Sequence, residues 1–305
     1  MKRKCTDHLR TYNAGILKTE EIFQLSPAMP AMSTSTFVWT CFTDLATRKI
    51  IFDFFAKINE SLKLTGWIVC NSSHDLDSAE FTLFPDMLPI SPLSASNELG
   101  HQAGNFWAED SACMSWLDKQ PASSVIYVAF GSFTVFDKTQ FQELALDLEL
   151  TNKPFLWVVH PDLTDGSNEA YPEGFEDRIG CCGRMVGWSP QEKVLRHPSV
   201  ACFISHCGWN STTEGLSNGV PFLCWPYFAD QLLNETYICD VWKVGLGFQK
   251  DENGIITEIK NKVELLLGDK DYMERLILLK ERLVSGVRGD GRSNQNFSNF
   301  VDWMK

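Results

Sequence analysis

Short apolar runs that end on turn residues and give way to helical spacing limit what this chain can fold into. Val125 to Phe130 (VIYVAF) is one such run, closed by Gly131-Ser132. Asp137, with Gln140 three residues on, then opens a helix whose apolar face is Phe141, Leu144, Ala145 and Leu148. Phe155 to Val159 reads as the next strand. Further strands fall at Met185-Val186, Val200 to Ile204, Phe222 to Trp225 and Val244 to Phe248, with helical stretches between them. Strands alternating with helices call for a parallel sheet covered on both faces, the doubly wound α/β architecture.

The preceding part of the chain is less regular. Residues 1 to 35 are polar and then proline-punctuated, and read as loop or as a segment torn from a larger context. From Asp44 to about Leu62, Ile51, Phe54, Phe55, Ile58 and Leu62 recur at helical spacing and form the expected buried face of an amphipathic helix. Trp67 to Cys70 is a short strand. Prolines 85, 89 and 92, followed by Ser94, Ser96, Gly100 and Gly104, mark the stretch from about Phe84 to Asp110 as the interdomain linker. With 305 residues, two domains fit better than one.

Composition removes several classes of function. A net charge of -12 without a long Lys/Arg run argues against nucleic acid as a partner, so any anionic ligand must be held by local backbone geometry. No stretch approaches the roughly 20 apolar residues of a membrane span. The opening MKRKCTDHLR has no apolar region behind it, so the expected location is cytoplasmic. Of the ten cysteines, Cys70, Cys202, Cys224 and Cys239 stand among apolar residues, as small core side chains do. Cys181-Cys182 reads as a loop with two free thiols, and His206-Cys207 lacks the second ligand pair that a structural metal needs, so no metal is expected.

The most informative segment runs from Trp188 to Gln231: WSPQEKVLRHPSVACFISHCGWNSTTEGLSNGVPFLCWPYFADQ. Its strand ends at Ser205-His206-Cys207-Gly208, and Ser211 with Glu214 has capping-box spacing, so a helix should start directly off the strand. Such a turn offers backbone N–H groups and the positive end of a helix dipole to phosphate. Ser132 belongs to the turn after an earlier strand, at the same carboxyl edge of the sheet. Gly219 followed by Pro221 should stop the helix. Asp230-Gln231 falls at the next strand end, where a polar pair suits sugar hydroxyls.

This segment resembles the donor-binding box of plant family 1 UDP-glycosyltransferases, and the likeness extends to Trp116–Pro121 (WLDKQP), to Tyr127–Ser132 and to most of the chain from about Thr11, with the branch designated 83A. The resemblance implies two Rossmann-like domains of the GT-B type. Residues 1–92 would be the remnant of an acceptor-binding domain with the start of the linker. Residues 93–305 would be the UDP-sugar-binding domain, its C-terminal helix packing back on the N-terminal part. It further implies that Trp188 stacks on uracil, that Gln191 lies near the uridine, and that Glu214 binds the ribose. Ser132, His206, Asn210 and Ser211 would meet the phosphates, while Trp209, Asp230 and Gln231 would hold the sugar. Glutamine at the last position is similar to glucose users.

For several of these residues a simpler role stays open: a packing aromatic for Trp188, a helix cap for Glu214, a solvated loop carboxylate for Asp230. The family's acceptor-activating histidine and its aspartate partner have no match here, and His8, His74 and His101 stand in charged or polar surroundings that suit solvation. The chain is expected to be a shortened form. The expected function is metal- and cofactor-independent, inverting transfer of glucose from UDP-glucose to a hydroxyl of a small plant metabolite such as a flavonoid or other phenolic. The alternative is a non-catalytic UDP-sugar-binding fragment or pseudoenzyme lacking the N-terminal catalytic base.

Overall fold

A computed structural model describes residues 21–93, 107–164, 171–249 and 258–305. The chain divides into two compact units, a smaller one of Met1–Asn97, Phe228–Tyr237 and Glu281–Lys305 and a larger one of Glu98–Tyr227 and Ile238–Lys280. His8 and His101, and the middle of the expected linker, lie outside the described residues.

In the smaller unit, β1 (Ile22–Phe23) and β2 (Met32–Ser33) form a short antiparallel pair where loop is expected from the prolines. Helix α1 (Leu45–Ser61) is capped by Asp44, whose Oδ1 accepts from the Thr47 amide at 2.7 Å. The expected buried face is corrected. Phe54, Phe55, Ile58 and Leu62 are exposed, and Phe52 is the buried member of the helix, set edge-on to Trp39 at 5.3 Å. The helical period holds, but Phe52 is buried in contact with Trp39, a residue outside the helix to which spacing along it gives no clue. Strand β3 (Ile68–Cys70), helix α2 (Ser78–Leu83) and strand β4 (Met87–Pro89) follow, with β3 and β4 parallel. His74, expected to be solvated, is half-buried against the Phe81 ring at 4.9 Å.

The larger unit begins with α3 (Ala112–Leu117), β5 (Val125–Ala129), α4 (Lys138–Leu150) and β6 (Phe155–Val158). Next come α5 (Phe175–Ile179), β7 (Gly183–Val186), α6 (Gln191–Leu195), β8 (Val200–Ser205), α7 (Trp209–Asn218) and β9 (Phe222–Cys224). Helix α8 (Gln231–Thr236) falls to the smaller unit, after which come β10 (Gly245–Gly247), α9 (Ile259–Gly268) and α10 (Lys270–Gly286). Helix α11 (Arg292–Met304) ends the chain within the smaller unit, where the Asn296 amide donates to the Pro89 carbonyl at 2.8 Å and Trp303 stands against Trp67 at 5.7 Å.

The six strands of the larger unit pair in parallel in the order β10-β9-β8-β5-β6-β7. Every residue of β5 is buried, which is why its sequence is a continuous apolar run instead of an alternating one. Phe141, Leu144, Ala145 and Leu148 of α4 pack into the core with Ile126, Val128 and Trp157, together with Ile259, Val263 and Leu266 of α9. Each Phe, Leu, Ile or Val among them contributes about 1.5–3 kcal/mol on burial. Asp137 caps α4 by accepting from the Gln140 amide at 2.9 Å, and Asp147 accepts from the Ile259 amide at 3.1 Å, joining α4 to the start of α9. From β5 the chain runs outward through β6 and β7, then returns beside β5 to run outward through β8, β9 and β10. The carboxyl ends of β5 and β8 therefore flank the point where strand order reverses, the place where open α/β sheets receive ligands.

Candidate functional site

The two central strands end in turns that close on one another. After β8 the chain passes through Cys207, which takes a left-handed φ of 63° while its amide donates to Ser205 Oγ at 3.1 Å. This reversal lays the His206 ring against two glycines. A Cβ on Gly131, itself at φ 70°, would stand 2.7 Å from His206 Nε2, and one on Gly208 would stand closer still. Backbone alone fits at both places, so the β5 and β8 turns meet at the imidazole. Ser132 follows Gly131 in the β5 turn. His206 Nδ1 is buried without a hydrogen-bond partner among the described residues. Burial pushes the His206 pKa down to about 4, opposed in part by the Ala129 backbone, so the ring is neutral at pH 7.

Helix α7 starts immediately after this turn, as expected, but the capping-box expectation is corrected. Its N-cap is Gly208, in extended conformation with no side-chain cap, and Ser211 and Glu214 lie inside the helix. Their side chains serve Gln191 instead. Gln191 Nε2 donates to Ser211 Oγ at 2.9 Å and to Glu214 Oε2 at 2.7 Å, while Gln191 Oε1 accepts from the Tyr127 hydroxyl at 3.1 Å. Tyr127 also pairs with Ser189 Oγ at 2.9 Å. Burial raises the Glu214 pKa, the Gln191 hydrogen bond lowers it, and nearby Glu192 raises it again. Gly219 ends α7 at φ 74°, in the left-handed C-terminal position expected of it.

Trp188, half-buried just past β7, meets the ring of Trp107 at 5.0 Å and 45°. Trp209, the first residue of α7, stands 6.4 Å from Trp242, and the carbonyl of the exposed Asn210 accepts from Thr213 Oγ1 at 2.9 Å. Asp230 and Gln231 belong to the smaller unit. There Asp230 Oδ2 accepts from Asn234 Nδ2 at 2.9 Å, and the buried Gln231 accepts from the Phe228 amide through Oε1 at 3.0 Å. The structure thus gathers Gln191, Ser211 and Glu214 into one network and sets His206 beside the Ser132 turn.

Tyr127 and Ser189 were not legible as site residues. Tyr127 lies in the middle of an apolar strand, and its hydroxyl is the one signal that could have marked it, because a buried hydroxyl needs a partner. The nine cysteines among the described residues are free, with Cys181 and Cys182 exposed. Among the described residues no group of three His, Cys, Asp or Glu side chains is arranged to hold a metal ion, and no helix is long and apolar enough to cross a membrane.

With this geometry in place, comparison with known proteins is specific. The family model described as UDP-glucoronosyl and UDP-glucosyl transferase matches residues 64–283. UDP-glycosyltransferase 83A1 of Arabidopsis thaliana is 43% identical over 297 residues, which are 95% of this chain and 62% of the relative. The 7-deoxyloganetic acid glucosyltransferase of Catharanthus roseus is 41% identical over 206 residues, 67% of this chain and 42% of that protein. The solved structure of Phytolacca americana UGT2, complexed with UDP-2fluoro-glucose and pterostilbene, matches with a TM-score of 0.81 at 29% identity, covering 98% of this chain and 66% of the other. The chain spans less than two thirds of the length of these relatives.

Proposed function

Since the chain belongs to the UDP-glucoronosyl and UDP-glucosyl transferase family and has its GT-B type of α/β fold, we propose that it binds a UDP-sugar, UDP-glucose by preference, and transfers the sugar to a hydroxyl of a small plant metabolite such as a flavonoid or other phenolic. The observation that carries this reading is the Gln191 amide bridging Ser211 and Glu214 beside the His206 turn, at the strand-order reversal of a parallel sheet.

In this proposal most of the donor-binding residues belong to the larger unit, while Asp230 and Gln231 belong to the smaller one. Trp188 stacks on the uracil, and Glu214, with Gln191 beside it, takes the ribose hydroxyls. Asn210, Ser211, Ser132 and the start of α7 meet the pyrophosphate, while Trp209, Asp230 and Gln231 hold the glucose. The acceptor oxygen attacks the anomeric carbon as the bond to the β-phosphate oxygen breaks, so negative charge grows on the departing UDP. A neutral His206 stabilises that charge through an N–H hydrogen bond, and the helix dipole of α7 adds to it. Removal of the acceptor proton in the transition state is a separate requirement, and none of the residues gathered here is proposed to meet it. The named relatives are transferases, which favours transfer over binding alone.

Calorimetric titration with UDP and UDP-glucose tests the donor half. Wild type should bind both, and Trp188→Ala should weaken binding by roughly fivefold to a hundredfold, the value of one base stacked on an aromatic ring. A wild-type chain that binds neither nucleotide sinks the reading. Incubation with UDP-glucose and a panel of hydroxylated phenolics tests the transfer half, with glucoside formation as the expected outcome.

A further inference from the structure

Strands β6 and β7 pair with Val158 opposite Val186, and His160 and Trp188 each lie two residues beyond that pair. Parallel strands thereby carry the two rings to matching positions at the carboxyl edge of the sheet. A third ring joins them. Trp107 stacks on His160 at 5.0 Å and 20° and meets Trp188 at 5.0 Å and 45°. The segment bearing Trp107 is also tied to Trp188 through the backbone, because the Asp110 amide donates to the Trp188 carbonyl at 2.9 Å. Asp110 is itself held, its Oδ1 accepting from the Ala112 amide at 2.8 Å and its Oδ2 from Arg184 Nη2 at 3.2 Å.

His160 is 2% exposed, and neither ring nitrogen has a hydrogen-bond partner among the described residues. The imidazole is therefore held as a flat stacking surface and not as a hydrogen-bonding group. Burial also lowers its pKa, against the nearby Asp162 carboxylate that raises it, so the stack is one of uncharged rings at neutral pH. An indole left to itself samples several rotamers, and a base that stacks on it must meet the cost of freezing it.

We infer that Trp107, backed by His160 and anchored through Asp110, is a positioning residue that holds the Trp188 indole ready to receive the base of a nucleoside diphosphate. This inference rests on the donor-site reading above, and it concerns base recognition without involving the phosphate end of the site.

The test compares UDP with inorganic pyrophosphate as calorimetric titrants for wild type, Trp107→Leu, Trp107→Phe and His160→Phe. Leucine keeps apolar bulk but removes the ring, and should weaken UDP binding about fivefold to tenfold, as expected for a lost aromatic pair. Pyrophosphate affinity should stay within about twofold, because the β5 and β8 turns are untouched. Trp107→Phe and His160→Phe, which keep a flat ring, should each hold UDP affinity within about threefold. UDP affinity unchanged in Trp107→Leu overturns the inference while leaving the donor site standing. So does an equal loss for UDP and pyrophosphate, the mark of general structural damage, and so does a loss in the phenylalanine variants as large as that in Trp107→Leu. Failure of the wild type to bind UDP overturns the donor reading and this inference with it.

Discussion

At the scale of single residues, Glu214 and His206 make separable predictions. Glu214 is half-buried and accepts from the Gln191 amide, so replacing it by alanine frees one of that amide's two N–H groups and removes the proposed partner of the ribose. Wild type should prefer UDP over 2′-deoxy-UDP. Glu214→Ala should bind UDP about tenfold more weakly, near the worth of one hydrogen bond to a charged group, and should lose the preference between the two. A retained preference would remove Glu214 from the ribose site. His206 has a folded pKa of about 4 against an ordinary 6.5, so the unfolded chain holds the extra proton between those values. The stability this ring contributes is full above pH 6.5 and is lost as pH falls toward 4, by at most about 3 kcal/mol. Asp77, pushed up to about 6 by burial, works the other way, since its folded carboxyl keeps a proton that the unfolded one releases. Comparing urea unfolding of wild type and His206→Asn from pH 7 to 4 isolates the histidine, and the variant should show the flatter fall.

At the scale of elements, the turns after β5 and β8 are the exacting ones. Gly131→Ala places a Cβ against the His206 ring and forces a left-handed φ on alanine, so it should destabilise the larger unit by about 1–3 kcal/mol and weaken UDP binding. Asp147→Ala removes the acceptor for the Ile259 amide at the start of α9 and should cost about 1–3 kcal/mol with little change in nucleotide affinity, since it lies in the core of the larger unit away from the β5 and β8 turns. Chemical denaturation paired with titration separates the two variants. Elements whose signals are local were legible: the Asp137 cap and apolar face of α4, the strands of the larger unit, and the Gly219 stop of α7 all follow from neighbours in sequence. The Ser211–Glu214 spacing misled because one helical turn brings the same two residues together whether they cap a helix or line its face. The choice was made by Gln191, 20 residues away from Ser211.

For the whole molecule, ligand binding should report which part of the chain carries the site. UDP at about a hundredfold its Kd should add roughly 2.7 kcal/mol to the stability of the part that binds it, raising its thermal midpoint by about 5–10 °C. At the same UDP concentration the stabilisation should shrink in Trp188→Ala to roughly 0.4–1.8 kcal/mol, the value for binding weakened a hundredfold to fivefold. Scanning calorimetry with and without UDP measures it, and an unchanged midpoint for wild type would argue against a preformed donor site. The sequence by itself determined the parallel α/β sheet and the strand-to-helix turn at His206, because alternation and turn glycines act over a few residues at a time, whereas the candidate donor residues were named from the resemblance of the Trp188 to Gln231 segment to a family. Tertiary structure decided which faces are covered. It left Phe54 and Phe55 exposed beside a buried Phe52, assigned Gln231 to the smaller unit, and set Trp107 and His160 beside Trp188. Those outcomes depend on residues brought together from distant parts of the chain, and no pattern of spacing along one segment carries that information.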